Sequence, residues 1–444
     1  MSALFCLLRL LFSRRRRERK SIAFLSRQCD EPSLDYRLLS WELARRLPSW
    51  DIEHVCYLDS DHKRGSTGRR ICGTMRQMYA VARANLCIAD GYCPAVSIPR
   101  LPSSTVVVQL WHALGAFKRF SWQSVDTPMG RRASAAEELK MHGNYDMVVA
   151  GGSGAIHAFA EAFNVPSERI APLGLPRVDY LLASRGMLGQ PVAGPKAVER
   201  EAAGWESAEG EGICSNVVDG ECFSDLDQLI AAECAVDRKE LLSCYPQLQN
   251  GRLNVLYAPT FRQHDEAGLF TKGVMHLAEQ LSGKCNFFVS PHVLSQLEAA
   301  IGVQYASRDA DDGHFSERCY GAGISLVDGG SLALMPLVDV VVSDYSAVAF
   351  EAFLAGARVF FYLPDIDTYR GSPGLNIDPE HQFCDQSFRD AELLTRAVLA
   401  FGESPTDAPA DAFAEFARHY LATPSDGATK SIASAIMALL EENR

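Results

Sequence analysis

Val338-Asp339-Val340-Val341-Val342-Ser343-Asp344-Tyr345-Ser346-Ala347 is the stretch on which the reading of the fold turns. A short run of branched apolar residues reads as a strand buried on both faces, as in a parallel sheet, and the polar residues after it read as a strand-to-helix loop. The following residues, up to Gly356, read as a helix capped by Ser346, with the N–H groups of Ala347, Val348 and Ala349 pointing out of its end. Such an end attracts anions through its unpaired donors and its dipole. A well-capped helix in which Asp344 and Ser346 serve only stability is the alternative.

Working outward, the same grammar of apolar run, loop and amphipathic stretch repeats along the chain. Strands are expected at Val359–Leu363 on one side, and at Asn254–Ala258, Asn286–Ser290 and Gly323–Val327 on the other. Together they make a Rossmann-like half over residues 251–405. Ile22–Leu25, His54–Leu58, Leu86–Ala89, Val106–Leu110 and Met147–Ala150 form a second set over residues 21–182. Helices are expected there after Pro32 and Ser33, burying Leu34, Leu38, Trp41 and Leu43, and around Met75–Ala84. Residues 183–250 are rich in Ala, Gly, Glu and Ser and read as an inserted or linking region, part helical and part loose. Residues 406–444 read as a helical tail, with Phe413, Phe416, Ala417 and Tyr420, then Ile432, Ile436, Leu439 and Leu440, at helical spacing. The fold class is therefore α/β and GT-B-like: two doubly wound halves face a central cleft at the carboxyl ends of their strands, with a C-terminal helical segment.

With 444 residues, 47% hydrophobic and 22% charged, the chain has globular composition and length for two cores. A net charge of −12 argues against a nucleic-acid partner, since such proteins need a basic surface to displace counterions. The 13 cysteines show no C-x-x-C pair and no regular spacing, so they read as reduced thiols, and no structural metal or cofactor is expected. The first 20 residues depart from this balance. Met1–Phe12 is mostly apolar and is followed by Arg14, Arg15, Arg16, Arg17, Arg19 and Lys20. That stretch is shorter than the ~20 residues a bilayer requires, and its charges follow the apolar part instead of preceding it as in a signal peptide. An interfacial anchor on an anionic membrane surface is expected, which would place the protein peripherally on the cytoplasmic face of the membrane.

Candidate chemistry gathers where strands end. Val106–Leu110 runs into Trp111-His112-Ala113-Leu114-Gly115, which puts His112 at a strand's carboxyl end with a side chain able to take a proton near neutral pH. On position alone a structural histidine is an equal alternative. Leu256-Tyr257-Ala258-Pro259-Thr260-Phe261-Arg262 leaves a strand with a hydroxyl and a guanidinium suited to phosphate, and Val289-Ser290-Pro291-His292 places a second histidine past another strand. Leu173-Gly174-Leu175-Pro176-Arg177-Val178-Asp179 offers a further cation. Gly151-Gly152-Ser153-Gly154-Ala155 has the central serine of a nucleophile elbow but lacks its second glycine at Ala155, and no Gly-Lys-Ser/Thr follows as in a P-loop, so it reads as a tight turn.

Taken in order, these segments resemble the CDP-glycerol glycerophosphotransferase family of teichoic-acid polymerases and primases. The residues that carry the likeness are Trp111-His112 with Gly115 and Lys118, Gly174 to Asp179, Tyr257 to Arg262, His292, Asp339 to Ser346, and Tyr362-Leu363-Pro364-Asp365-Ile366-Asp367-Thr368-Tyr369. The likeness spans roughly residues 100 to 400 and leaves the 183–250 region unmatched. It implies a CDP-glycerol or CDP-ribitol donor, a lipid-linked polyol-phosphate acceptor and release of CMP. His112 and His292 would be the catalytic residues. Trp111, Gly115, Arg177, Thr260, Phe261, Arg262, Ser290, Pro291, Asp344, Ser346, Ala347 and Glu351 would line the donor and its phosphates. A glycosyltransferase using a nucleotide-sugar and a non-catalytic family member are the competing readings.

Overall fold

The computed structural model describes residues 20–59, 66–187, 217–218, 221–260, 269–289, 318–320, 324–327, 331–405 and 410–442. The apolar and basic segment at residues 1–19 lies outside them, as do Phe261, Arg262, Ser290, Pro291 and His292.

The first unit is built on six parallel strands: β1 (Ser21–Ser26), β2 (Asp51–Cys56), β3 (Leu86–Ala89), β4 (Val106–Gln109), β5 (Met147–Ala150) and β6 (Ile170–Pro172). Their spatial order is β2-β1-β3-β4-β5-β6. Burial on both faces explains why β3, β4 and β5 carry no exposed residue and are apolar throughout save for the buried Gln109 that ends β4. The three-residue β6 has no sequence signal of its own. It is a strand because Val148 and Ala150 of β5 supply its ladder. Helix α1 (Leu34–Arg46) starts where Ser33 accepts the Tyr36 N–H, and it buries Leu38, Leu39, Trp41 and Leu43 against the sheet. Helix α2 (Ser66–Arg83) begins well before the expected Met75. Its first turns are exposed, so they carry little of the apolar periodicity that marks Gln77–Ala84 as buried.

Helix α3 (Ile156–Phe163) follows the Gly151–Ala155 turn, and α4 (Pro176–Met187) follows β6. The region expected to be inserted contains a regular 19-residue helix, α5 (Leu226–Cys244), capped by Asp225 on the Gln228 N–H. It packs on α1 and α4, with Arg37 paired to Glu233 and the Tyr180 hydroxyl donating to Asp237. This part of the 183–250 region thus belongs to the fold's first unit.

The second unit is a seven-stranded sheet: β7 (Leu253–Tyr257), β8 (Cys285–Val289), β9 (Arg318–Tyr320), β10 (Ile324–Leu326), β11 (Val340–Ser343), β12 (Arg358–Tyr362) and β13 (Ser387–Phe388). The order is β9-β10-β8-β7-β11-β12-β13, and all pairings are parallel except β9 with β10. Helices α6 (Leu269–Leu281) and α8 (Ala391–Glu403) cover one face through Val274, Leu277, Leu394 and Val398, while α7 (Val348–Ala355) covers the other. Each such side chain taken fully out of water contributes on the order of 1.5–3 kcal/mol.

The tail comprises α9 (Ala412–Tyr420) and α10 (Ala428–Glu442). Phe413 and Tyr420 of α9 pack on the second unit through Phe350, and α10 returns to α1 of the first, where Arg46 donates to Ser434. The chain therefore crosses between the units and then crosses back, completing the GT-B arrangement.

Candidate active site

In a doubly wound sheet, ligands gather at the carboxyl ends of the strands where the order reverses. Here those switch points lie between β1 and β3 in the first sheet and between β7 and β11 in the second. Asp90 and His112 leave the first sheet close to its switch point, and Thr260 and Asp344 leave the second at its own.

Trp111 adopts a left-handed backbone with φ 62°, a conformation that a bulky side chain holds only when its surroundings force it. Buried Gln109 does so: its Oε1 accepts the Trp111 N–H at 3.0 Å, and its Nε2 donates to Gly91 O and to the Tyr145 hydroxyl. The turn carries the next residue away from the strand axis, so that the His112 ring lies open to solvent on one edge, against the Trp111 ring at 4.2 Å. Its Nδ1 lies 2.7 Å from the Asp90 carbonyl oxygen. A carbonyl only accepts, so Nδ1 carries the hydrogen and Nε2 keeps its lone pair, with no bonding partner among the described residues. Desolvation by the surrounding atoms holds the imidazole pKa below the ordinary histidine value; the Asp90 hydrogen bond opposes this and the nearby Arg177 charge adds to it. The result is a neutral, fixed imidazole with a free acceptor nitrogen.

Asp90 was not singled out by sequence reasoning, although it obeys the same rule as His112, a polar residue just past a buried strand. Its side chain is 5% exposed, and burial pushes the carboxyl up to about 7. Asp35 was missed as well, because nothing in its own neighbourhood marks it. It matters for Arg177.

Arg177 donates to Asp35 Oδ2 through Nε at 2.9 Å and through Nη2, its backbone N–H reaches Asp35 Oδ1 at 2.8 Å, and Nη1 pairs with Glu351. The guanidinium is 15% exposed and the two carboxylates 4% and 10%. Arg177 and Glu351, both expected to line the phosphates, are thus brought together and use each other. They tie α4 of the first unit to α7 of the second. The rest of that motif is committed in the same way. Gly174 takes φ 78° beneath Ala422 and Ala428, and Asp179 accepts the N–H groups of Ala428 and Thr429 at the start of α10.

Gly115 is also a packing residue in this structure. A Cβ there would stand 2.5 Å from the Phe350 ring and 2.7 Å from that of Tyr420, so the absent side chain lets the His112 loop close onto α7 and α9. Two residues on, Phe117 is 1% exposed and inserts among Phe350, Phe361 and Phe413. Backbone bonds from Asn376 N to Phe117 O and from Arg119 N to Gly374 O complete the seam. Gly152 and Gly154 likewise make room for the Tyr420–Ala422 crossing, and Gly151 for the Leu114 backbone, so the glycines of that turn serve packing.

Across the cleft, Asp344 is 1% exposed and accepts the Thr260 N–H at 2.8 Å, binding the β7 loop to the β11 loop. A carboxylate there organises the loops and would not itself hold a phosphate. Helix α7 starts one residue later than expected. Ala347 already has helical dihedrals and is the capping position, without a side-chain cap. Ser346 Oγ accepts the Val348 N–H at 3.4 Å and Ser346 O accepts the Ala349 N–H at 3.3 Å. Of the three donors expected to be free, the Ala347 N–H alone is without a partner among the described residues. Among those residues no cluster of His, Cys, Asp or Glu could hold a metal, and no helix is long and apolar enough to cross a membrane.

Two facing parallel sheets with opposed switch points, joined by a tail that crosses back, define a GT-B protein whose first unit presents a histidine to the cleft. Residues 7–192 and 226–438 match the family model described as CDP-Glycerol:Poly(glycerophosphate) glycerophosphotransferase, and the chain belongs to that family. The unmatched gap falls within the Ala- and Gly-rich region, while α5 lies inside the match. A teichoic acid ribitol-phosphate primase of Bacillus spizizenii is 28% identical over 288 residues, 64% of this chain and 58% of that protein. A teichoic acid glycerol-phosphate primase of Bacillus subtilis is 20% identical over 304 residues, 68% of this chain and 61% of that one. The chain thus spans about six tenths of the length of these two relatives. The solved wall teichoic acid polymerase TagF superposes with a TM-score of 0.57 at 14% identity, covering 98% of this chain and 93% of that one, a likeness of fold.

Proposed function

We propose that this protein transfers an alditol phosphate from CDP-glycerol or CDP-ribitol to a hydroxyl of a lipid-linked polyol-phosphate acceptor. His112 Nε2 takes the acceptor's proton, the freed oxygen forms a bond to the phosphorus that bears the alditol, the pyrophosphate P–O bond breaks, and CMP leaves with the electron pair. The observation that carries this reading is the His112 geometry: one ring nitrogen is fixed on a carbonyl and the other is unspent at the cleft. Family membership and the named activities of the primase relatives support the substrate class. The Ala347 N–H supplies a donor for a phosphate oxygen, and the catalytic contribution is chiefly positioning and charge stabilisation. Phe261, Arg262, Ser290, Pro291 and His292 are assigned to the same phosphates on sequence grounds.

The test is CMP release from each donor with and without a glycerol phosphate acceptor, in wild type and His112→Ala. Acceptor-dependent CMP that the substitution abolishes is the expected result. Release of a nucleoside diphosphate from a nucleotide-sugar would replace this reading with glycosyl transfer. We also assign the apolar and basic residues 1–20 to an anionic membrane surface. Their deletion is expected to move the protein from the membrane pellet to the supernatant, with turnover on a soluble acceptor retained.

A further inference from the structure

The connection between β4 and β5 is built under unusual backbone constraint. Besides Trp111, it holds Ser121, Asp126, Lys140, His142 and Asn144 at φ values of 49°, 59°, 44°, 60° and 70°. Non-glycine residues keep such conformations only where the surroundings over-determine them, which is common at ligand sites. A buried relay provides the determination here. Gln109 bonds the Tyr145 hydroxyl at 2.8 Å, that hydroxyl lies 3.0 Å from His142 Nδ1, and His142 Nε2 lies 2.8 Å from Ser121 Oγ. Burial holds the His142 pKa down, at about 3, so the relay is neutral. The same Gln109 sets Trp111, so His112 and the outer part of this loop rest on one scaffold.

The outer part contains an open concavity of about 650 Å³ whose lining includes Asp126, Thr127, Arg131, Arg132 and Ser134. Its one carboxylate is engaged, since Asp126 Oδ1 accepts the Ala133 N–H at 2.9 Å. Arg131 lies over the Tyr92 ring at 5.8 Å, Tyr92 meets His142 at 5.7 Å, and His142 meets Trp111 at 6.0 Å. This acidic chain pairs many of its arginines with carboxylates, as with Arg27, Arg177, Arg370 and Arg389. Among the described residues Arg131 and Arg132 have no carboxylate partner. Two guanidinium groups on consecutive residues with the Ser134 hydroxyl, joined to Trp111 through the Tyr92 and His142 rings, suit a phosphodiester, while the Thr127 hydroxyl is spent on the Ser124 carbonyl at 2.7 Å.

Resting on the proposed function, we propose that the Asp126–Ser134 concavity binds a phosphodiester of the acceptor chain and holds its terminal hydroxyl toward His112. A polyol-phosphate acceptor carries its nearest phosphate one polyol behind the attacking hydroxyl, so a cationic subsite beside the base would orient that hydroxyl without touching the donor. Anionic lipid headgroups offer the same phosphate chemistry, and the experiment separates the two sources.

The full-length protein and the Arg131→Ala/Arg132→Ala variant are compared for calorimetric binding of a synthetic tri(glycerol phosphate), of glycerol, and of vesicles containing an anionic phospholipid, and for the KM of acceptor and donor. Loss of two charge-assisted contacts is expected to weaken oligomer binding and raise acceptor KM by ~10-fold or more, with donor KM, glycerol binding and thermal midpoint unchanged. Arg131→Lys/Arg132→Lys should recover part of the loss. Unchanged oligomer binding overturns the assignment, and so does a loss confined to vesicles. If wild type releases no CMP, the proposed reaction fails by itself, and the oligomer binding still decides the role of the arginines.

Discussion

Trp111-His112 follows β4 and Gly174 to Asp179 leads from β6 into α4, and sequence reasoning gave His112 a catalytic part and Arg177 a place on the donor's phosphates. Their side chains meet opposite fates. His112 spends one nitrogen on the Asp90 carbonyl and keeps the other. Arg177 spends its guanidinium on Asp35 and Glu351, and Asp179 spends its carboxylate on the first N–H groups of α10. A residue type suited to chemistry becomes a chemical group only if the fold leaves it an unspent valence. The second segment instead ties the two units together through Arg177 and Glu351.

That contrast can be broken experimentally. His112→Ala should lower turnover by ~10²- to 10⁴-fold, the usual contribution of a general base, with little change in the urea midpoint. A variant that unfolds would make His112 structural and dissolve the distinction. Arg177→Met should do the reverse. Leaving Asp35 and Glu351 buried and uncompensated costs about 3–5 kcal/mol, read from urea unfolding. Wild-type stability in this variant would show that the carboxylates reach water or another cation. Gly115→Ala tests the seam between the loops. Its Cβ would fall within the Phe350 and Tyr420 rings, and forcing such a contact costs about 1–3 kcal/mol.

The smallest effect sharpens the assignment of the base. A general base works neutral, so kcat/KM rises as pH increases through its pKa. Because burial holds His112 below the ordinary value, the acid limb should lie below the ~6.5 of free histidine. Rates measured between pH 5 and 8 would place it. A limb above the free-histidine value would point to a carboxylate partner that the structure does not give this ring.

The His112 half of this comparison could be located in the sequence. The strand before His112 opens with three consecutive valines, and the loop after it was expected at the cleft. The same logic located Thr260, Asp344 and Ser346, whose loops the structure brings side by side. It slipped by one residue at α7, where Ala347 and not Ser346 is the capping position. It passed over Asp90, which follows a buried strand as His112 does, and it was blind to Asp35, whose role depends on elements far along the chain: Asp35 meets Arg177 across 142 residues, and Arg177 meets Glu351 across 174.

By itself the sequence determined the two doubly wound units, the order of the motif-bearing loops and the histidine at a strand's end. Strand period, burial and strand-to-helix loops are properties of a few consecutive residues, and so they can be read along the chain. Only the tertiary structure decided which polar groups remain available. Hydrogen-bond and charge satisfaction is settled between segments that meet after folding, and the seam that closes Gly115 onto Phe350 and locks Arg177 onto Glu351 exists only once the two units have docked.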